Sequence, residues 1–466
     1  MQGYSHANHD GTREAVEKFE ELVHRNKESY FDVSQIESIF DFYNEQNMTD
    51  KATSVLQMGL RQHPDSTALQ LKYSTLLLEQ HQDEESLKIL NYLKLVETNN
   101  SEVFLNLGII YTRWHKRELA LEYYTSAIKF ADGEELESFI FEIGFNLNLD
   151  DYNLEARKLL AKYQPRYPNN ENMLFELAYA HDKLDEIEQG IAVYNKLLDL
   201  NPYLENAWYN MGILLSKQEK FQQAIEAYNI TIALAPDLSE AYFNKANSLA
   251  QIGEYAEALS AYAEYMSYSF PSPLTYYYMG DCHENLGNYD LASRFYKLAI
   301  DNDPENTDAL LSLGRTSYHV QDYPTSVAAF EKALHIDPDS ADAWLSLGKA
   351  YKKMNKPSEA KRCLKKALLT EDQDTYSWIE MFQFMEENEK NFNATAFLKR
   401  VLSKDHTNGA LHYLAAVIYN KNNNNEDALK HLVIARQLLP NDLEIVLNEY
   451  PSLVSMPKIA EYLNSI

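Results

Sequence analysis

The amino-acid sequence predicts an all-α protein assembled from many copies of one helical hairpin. Between Glu205 and Leu238, the residues Trp208, Met211 and Leu215 stand three and then four positions apart. This spacing places side chains on one face of an α-helix. Similar residues return every 34 positions over most of the chain, and a proline closes most of the copies. A single hairpin cannot bury its own apolar face, so the copies must stack on one another.

Four classes of residue carry the repeat, and each has a packing role. Bulky residues near the start of the first helix recur as Ile140, Leu174, Trp208, Tyr242, Tyr276, Leu310, Trp344 and Trp378. Small residues four places later, where a neighbouring helix comes close, are Gly144, Ala178, Gly212, Ala246, Gly280, Gly314 and Gly348. The second helix carries Ala156, Gly190, Ala224, Ala258, Ala292, Ser326 and Ala360. The closing prolines are Pro168, Pro202, Pro236, Pro304, Pro338 and Pro440.

This pattern resembles that of the tetratricopeptide repeat (TPR) family, W-x-x-L-G-x-x-Y followed by A-x-x-x-F and P. The resemblance implies a right-handed α-solenoid superhelix of about twelve TPR helical hairpins with terminal capping helices. The repeats start near Val33, Thr67, Ser101, Glu137, Glu171, Glu205, Ser239, Pro273, Thr307, Ala341, Thr375 and Gly409. Because two extra residues precede Glu137, we expect a slightly longer turn there.

The register also divides the chain. We expect a disordered N-terminus at 1–10 and an N-terminal capping helix at 11–32, where apolar residues follow a helical spacing. The TPR array spans 33–442, with its best-matching repeats at 101–374. The tail at 443–466 loses the register and is predicted to be a C-terminal capping segment.

Composition restricts the classes of function. Of 466 residues, 45% are hydrophobic, which is too much for a disordered chain. The net charge of -28 repels phosphate backbones and anionic membranes, so we expect no nucleic-acid partner. No apolar run is long enough to cross a membrane, and no signal peptide is visible, so we expect a cytoplasmic, acidic protein without membrane insertion. The isolated cysteines Cys282 and Cys363 indicate reduced thiols.

The resemblance also implies which side chains are available for binding. In this family, the second, fifth, sixth, ninth, twelfth and thirteenth positions of each repeat line a concave groove; we call these positions the first-helix surface. Aromatic and asparagine side chains there predict a peptide-binding groove. The candidates are Phe141, Phe145, Phe175, Tyr179, Asn206, Tyr209, Asn210, Phe243, Asn244, Asn247, Tyr277 and Tyr278. The alternative is that the aromatic rings pack between adjacent first helices.

A basic patch follows on the same surface, formed by Arg315, His319, Lys349, Lys352 and Lys353. It is suited to an acidic segment or a terminal carboxylate. The alternative is that these cations neutralise nearby carboxylates. The family's carboxylate clamp requires Lys at the fifth and Asn at the ninth position of one repeat, and no repeat here has that pair.

The stretch "YAEYMSYSFPSPLTYYYMG" departs from the pattern, since Tyr265 replaces the usual small residue. It predicts either a local repacking or an exposed patch or hinge at Tyr268, Phe270 and Tyr278.

The sequence contains no P-loop, no dinucleotide-binding glycine motif and no H-E-x-x-H. The repeats leave no stretch large enough for a catalytic domain, so we expect neither an enzyme nor a cofactor. The leading hypothesis is a scaffold or adaptor that binds a protein or peptide partner in its groove, with self-association through the terminal repeats as a further possibility. The alternative is an RNA-associated helical-repeat protein that uses the basic patch at 315–353.

Overall fold

A computed structural model describes residues 15–21, 30–370, 374–454 and 457–464. Within these ranges all regular secondary structure is helical, which confirms the prediction of an all-α repeat fold. The chain forms two compact units, residues 1–235 and 236–466. None of the described helices combines the length and the apolar character that crossing a bilayer requires.

The first unit contains the helices of six successive hairpins and a short helix before them. They are α1 (15–21), α2 (Val33–Glu45), α3 (Thr49–Gln62), α4 (Thr67–Glu79), α5 (Asp83–Val96), α6 (Ser101–Arg113), α7 (Arg117–Phe130), α8 (Gly133–Leu149), α9 (Asn153–Tyr163), α10 (Glu171–Lys183), α11 (Ile187–Leu200), α12 (Glu205–Lys217) and α13 (Phe221–Leu234).

The second unit continues the pattern and ends in shorter elements. Its helices are α14 (Ser239–Gln251), α15 (Tyr255–Tyr268), α16 (Pro273–Asn285), α17 (Tyr289–Asn302), α18 (Thr307–His319), α19 (Tyr323–Ile336), α20 (Ala341–Lys353), α21 (Pro357–Thr370), α22 (Thr375–Asn388), α23 (Ala394–Leu402), α24 (Gly409–Lys421), α25 (Asn425–Leu438), α26 (Leu443–Glu449) and α27 (Pro457–Asn464). Short 3-10 turns at Pro440–Asp442 and Pro451–Leu453 connect the last helices.

Local chemistry fixes where the helices begin and end. The side chain of Asn306 accepts a hydrogen bond from the backbone of Ala309 and so caps the start of α18. Gly253 ends the first helix of its repeat with φ of 83°, a left-handed conformation that glycine adopts without strain. In other repeats a polar residue adopts it, such as His115 with φ of 53°. The paired helices are therefore joined through a left-handed residue, which is glycine in this repeat and a polar residue in others.

The expected longer turn before Glu137 is wrong. Helix α8 instead begins at Gly133, so the two extra residues extend the helix. Leu136 lies in this added turn and is buried in the same apolar cluster as Phe139 and Ala131. Burial of this leucine stabilises the helical conformation over a loop.

The stretch that departs from the repeat pattern is mostly packed. Tyr268 stacks on Tyr242, with ring centres 5.5 Å apart, and the Tyr265 ring lies 5.3 Å from that of Phe243. Phe270, in the loop that follows, is 96% exposed. Tyr265 and Tyr268 therefore pack within their own repeat, but Tyr268 is still 53% exposed and joins Phe270 at the surface.

Near the N-terminus, α1 packs against the first hairpin. The ring of Phe19 lies 6.1 Å from that of Tyr43 and 6.4 Å from that of Phe31. The predicted disordered segment at 1–10, and parts of the predicted capping helix at 11–32, lie outside the described residues.

Candidate functional site

The first-helix surface of the second unit contains a cavity of about 350 Å³. Helices α18 and α20 supply most of its wall, and α16, α19 and α22 contribute one residue each. The lining residues are Glu284, Arg315, Tyr318, His319, Phe330, Asp342, Leu345, Ser346, Lys349 and Tyr376. All except Phe330 occupy positions of the first-helix surface, so successive repeats bring the same positions together around one space.

Opposite charges meet along this cavity. Arg315 pairs with the carboxylate of Asp342 at 3.3 Å, and Lys349 pairs with that of Glu380 at 3.6 Å. The Lys349 ammonium also lies 4.7 Å from the ring centre of Tyr376 and donates a hydrogen bond to its hydroxyl at 3.3 Å. Burial alone lowers the pKa of Lys349, but Glu380 and Tyr376 outweigh this effect and raise it above the usual lysine value. The ammonium therefore stays charged in a partly desolvated place.

A buried polar network supports the acidic end of the cavity. Glu284 accepts hydrogen bonds from the hydroxyls of Tyr296 at 2.6 Å and Thr316 at 3.1 Å. Burial raises the pKa of the neighbouring Asp281, and the charge of Glu284 raises it further, although Arg315 opposes both effects. Three helices thus hold the Glu284 carboxylate in a fixed orientation.

The predicted basic patch divides in two. Arg315, Lys349 and His319 line the cavity, and His319 stacks on Tyr289 with ring centres 5.4 Å apart. Lys352 and Lys353 do not line it: Lys352 pairs with Glu387 at 2.9 Å, and Lys353 is exposed. Three of the five side chains are therefore paired with carboxylates, as the neutralising alternative expects.

Two aromatic candidates of the first unit rest on tyrosines of the second helix in their own repeat. Phe175 lies 6.0 Å from Tyr194, and Tyr209 lies 6.1 Å from Tyr228, measured between ring centres. The other candidates lie at the surface to different extents. Phe145 is 43% exposed, and its ring centre lies 6.3 Å from that of Phe141. The Tyr179 ring lies below the ammonium of Lys183. Of the two asparagines, Asn206 is exposed and Asn210 is half-buried.

The second unit repeats this arrangement. Phe243 lies 5.8 Å from Tyr262, and Tyr277 lies 5.9 Å from Tyr296. The remaining candidates are engaged near these rings: Tyr278 lies 6.1 Å from Phe243, Asn247 accepts a hydrogen bond from the Tyr262 hydroxyl, and Asn244 is half-buried. The fifth-position rings therefore contribute to packing within their repeats and also present an edge on the first-helix surface.

Seven of the ten cavity residues were not among the predicted site residues, and four of these seven carry a carboxylate or a phenol: Glu284, Tyr318, Asp342 and Tyr376. The sequence register identifies these four residues as part of the first-helix surface, because each stands at a second or twelfth position of its repeat. The prediction of a basic patch depended on cations, and it did not include the carboxylates and phenols that stand beside them. Among the described residues, no group of three or more His, Cys, Asp or Glu side chains could hold a metal ion.

Comparisons with known families agree with the architecture. Family models described as "Tetratricopeptide repeat" match residues 171–203, 209–271 and 277–341. The model described as "Cytochrome c-type biogenesis protein H TPR domain" matches residues 332–445.

Several solved structures show a similarity to parts or most of this chain, each with a TM-score below 0.5. YrrB, titled a TPR protein with an unusual peptide-binding site, is 19% identical, covers 40% of this chain and 96% of its own, and gives a TM-score of 0.37. A tetratricopeptide repeat protein from Parabacteroides merdae is 16% identical over 53% of this chain and 97% of its own, with a TM-score of 0.39. The APC/C hetero-tetramer Cut9–Hcn1 is 17% identical over 89% of each chain, with a TM-score of 0.37.

No curated protein is significantly similar to this chain in sequence. The repeat periodicity, the paired helices and the matched family models together show that the chain belongs to the tetratricopeptide repeat family.

Proposed function

We propose that this chain is a non-enzymatic scaffold or adaptor whose first-helix surface binds an extended peptide or a helix of a partner protein. Tetratricopeptide repeats generally mediate protein–protein interactions. The repeats occupy nearly all of the described residues, which supports a binding role rather than a catalytic one.

The observation that carries the proposal is the cavity on α18, α20 and α22. Its volume of about 350 Å³ is in the range of small ligand sites and accepts one or two side chains of a peptide. Leu345 and Phe330 give it apolar surface, while Arg315, Lys349 and the Tyr376 hydroxyl supply donors. A carboxylate of the partner can compete with Asp342 for Arg315, because this ion pair lies near the surface and its partners are about half-exposed.

Affinity must come from several contacts. A neutral hydrogen bond contributes about 0.5–1.5 kcal/mol net, and a bond to a charged group about 1.5–3 kcal/mol. The cavity therefore anchors one acidic or polar side chain, and half-buried aromatic rings of the same unit, such as Phe243 and Tyr277, extend the contact.

The RNA-associated alternative has less support. A nucleic-acid site needs cations that are free to neutralise phosphates, whereas Arg315, Lys349 and Lys352 already pair with carboxylates. The net charge of -28 adds a general repulsion.

The proposal includes a cytoplasmic location. Cys282 and Cys363 are both free thiols and both buried, which is typical of a reducing compartment. Cell fractionation tests this part, and recovery of the protein with an exported fraction would contradict it.

The binding experiment begins with selection of peptides from a random displayed library on the full chain. Each selected peptide is then titrated against Lys349→Ala with Tyr376→Ala, and against a control in which Lys365→Ala and Lys366→Ala change two exposed lysines of the second helix α21. We expect affinity to fall at least about tenfold for the cavity variant, equal to 1.4 kcal/mol, and to remain unchanged for the control. Equal affinity for both variants would overturn the cavity site, and salt-sensitive binding of RNA that depends on Lys349 would favour the alternative.

A further inference from the structure

The C-terminal segment of this chain lies on the first-helix surface of the last two repeats. The Tyr450 hydroxyl accepts a hydrogen bond from Gln383 Nε2 at 3.3 Å, and the Ser452 hydroxyl accepts one from Asn420 Nδ2 at 3.2 Å. The Lys421 ammonium lies 5.4 Å from the centre of the Tyr450 ring. These contacts attach residues 443–454 to helices α22 and α24.

The residues that contact this segment stand at positions of the first-helix surface, which the family resemblance assigns to ligand binding. Gln383 stands at the ninth position of its repeat, and Asn420 and Lys421 stand at the twelfth and thirteenth positions of the next. In the cavity, the same positions are held by Lys349 (ninth) and by Tyr318 and His319 (twelfth and thirteenth). The segment therefore contacts the surface through the same positions that line the cavity.

Two buried side chains anchor the segment. Val446 and Leu453 are both completely buried. They belong to one apolar cluster with Ile379, Tyr413 and Val417, which stand at fifth and ninth positions of α22 and α24. Tyr450 lies between the two anchors in the sequence, four residues after one and three before the other. Val446 lies in α26, Tyr450 follows the end of that helix and Leu453 lies in the 3-10 turn after it, yet all three side chains contact the same surface.

Helix α22 links the segment to the cavity, because it carries both Gln383, which contacts the segment, and Tyr376, which lines the cavity. Burial raises the pKa of Tyr450 to about 12, and the charges of Glu386, Glu449 and Glu380 add to this effect, whereas the Gln383 hydrogen bond opposes it. Glu380 is the carboxylate that pairs with Lys349 in the cavity wall. The occupied and the open parts of the surface thus meet on α22.

We propose that the first-helix surface of α22 and α24 is a binding site for short amphipathic segments, and that residues 443–454 are its intramolecular ligand. The segment defines the chemistry of the partner: an aliphatic residue, a tyrosine four positions later, a proline directly after it, and a leucine three positions after the tyrosine. A partner protein that carries this pattern binds the site once the segment is released. This inference rests on the proposed function, since both assign binding to the first-helix surface.

The covalent link gives the segment an advantage over a free competitor. A short tether produces an effective concentration on the order of millimolar, so a partner with micromolar intrinsic affinity does not displace it from the wild-type chain. Release of the segment therefore exposes the site and strengthens binding of a free peptide.

The test uses the full chain and a fluorescent peptide with the sequence of residues 443–454. In the release variant, Val446→Asp and Leu453→Asp place carboxylates at the two buried anchors. Fluorescence anisotropy is expected to show at least about tenfold tighter binding to this variant than to the wild type. A peptide carrying Tyr450→Ala is expected to bind the release variant more weakly, and so is the intact peptide when Gln383→Ala and Asn420→Ala are added to that variant.

A second variant distinguishes release of the segment from loss of the fold. Tyr450→Ala with Ser452→Ala removes the ring and hydroxyl contacts but keeps both apolar anchors, so its affinity for the peptide should lie between those of the wild type and the release variant. Equal binding by the wild type and a folded release variant, or no binding by either, would overturn the proposal. Loss of helicity in both variants would overturn it too, because the segment would then be an integral part of the fold.

The cavity provides an independent reference. Peptides whose binding depends on Lys349 are expected to bind the Gln383→Ala, Asn420→Ala chain as they bind the wild type. Failure of the tail peptide with retained cavity binding contradicts this inference alone, and the reverse result contradicts the cavity site alone.

Discussion

Gly212 lies so close to Tyr228 that a β-carbon added to the glycine would stand 2.5 Å from Cε1 of the ring. The same relation joins Gly314 and Phe330, where the closest ring atom would also be 2.5 Å away. In each case the small residue is on the first helix and the ring is on the second helix of the same hairpin. Close approach of the two helices therefore requires both residue types at their fixed distance in the sequence.

Gly212→Val is expected to lower the free energy of unfolding by about 1–3 kcal/mol, because a branched side chain must displace the Tyr228 ring. Gly212→Ala is the matched control and should cost less, since Ala178 and Ala246 occupy the same position of other repeats. Thermal unfolding followed by circular dichroism measures both. A valine variant that melts like the wild type would contradict the packing.

Substitutions of the aromatic residues on the first-helix surface are expected to differ in their effect on stability, because the rings differ in their packing contacts. Phe243→Ala removes a ring that packs on Tyr262 and Tyr265, and is expected to cost about 1–3 kcal/mol of stability. Phe145 is 43% exposed, so Phe145→Ala is expected to change stability by less than about 0.5 kcal/mol. Similar melting temperatures for the two variants would show that Phe243 does not have a packing role.

The contact between His412 and His431 predicts that the free energy of unfolding depends on pH. His412 Nδ1 lies 2.8 Å from His431 Nδ1, so one ring must donate and the other accept. Burial lowers the pKa of His431, as does the charge of His412 and that of Lys430, while Asp427 raises it. With the folded pKa below the unfolded one, the unfolded chain binds more protons between the two values. Stability is therefore complete above about pH 6.5 and declines as the pH falls below it.

His431→Gln tests this dependence, since its amide can still donate to His412 but does not titrate. Melting temperatures are compared near pH 7.5 and near pH 5.5, on either side of the usual histidine value of about 6.5. The wild type is expected to lose more stability than the variant between these two conditions. An equal loss would show that acidic residues elsewhere account for the change.

The cysteines are expected to be unreactive in the folded chain. Burial raises the pKa of Cys282 to about 12 and that of Cys363 to about 11, so both are thiols at neutral pH. A thiol reagent such as dithiobis(nitrobenzoate) should react slowly with the native protein and should label both cysteines quickly in denaturant. Rapid labelling of the native chain would contradict this burial.

Periodic sequence features made the helices predictable. Helices α14 and α18 begin at Ser239 and Thr307, where the register starts two of its repeats. This agreement follows from local causes, since caps, closing prolines and the turn at Gly253 act within a few residues. The start of α8 at Gly133 was missed because the burial of Leu136 depends on tertiary contacts that no local pattern reveals.

The site was only partly predictable. The register places Arg315, Lys349 and their partners Asp342 and Glu380 on one surface. It does not show that each cation pairs with a carboxylate of the following repeat, because that pairing depends on how closely successive helices approach and on the side-chain conformers. The position of the C-terminal segment could not be read from the repeat pattern either, since the segment itself lacks that pattern.

The most direct test of the account is a photo-cross-link from the cavity. A benzoylphenylalanine is placed at Ser346, in the cavity wall, or at Lys366, on the exposed face of α21, and each protein is irradiated with a library-selected peptide. We predict that the peptide cross-links to the chain with benzoylphenylalanine at position 346 and not to the chain with it at position 366. Excess competing peptide is expected to suppress the cross-linked product. Attachment at Lys366 with none at Ser346 would contradict binding on the first-helix surface.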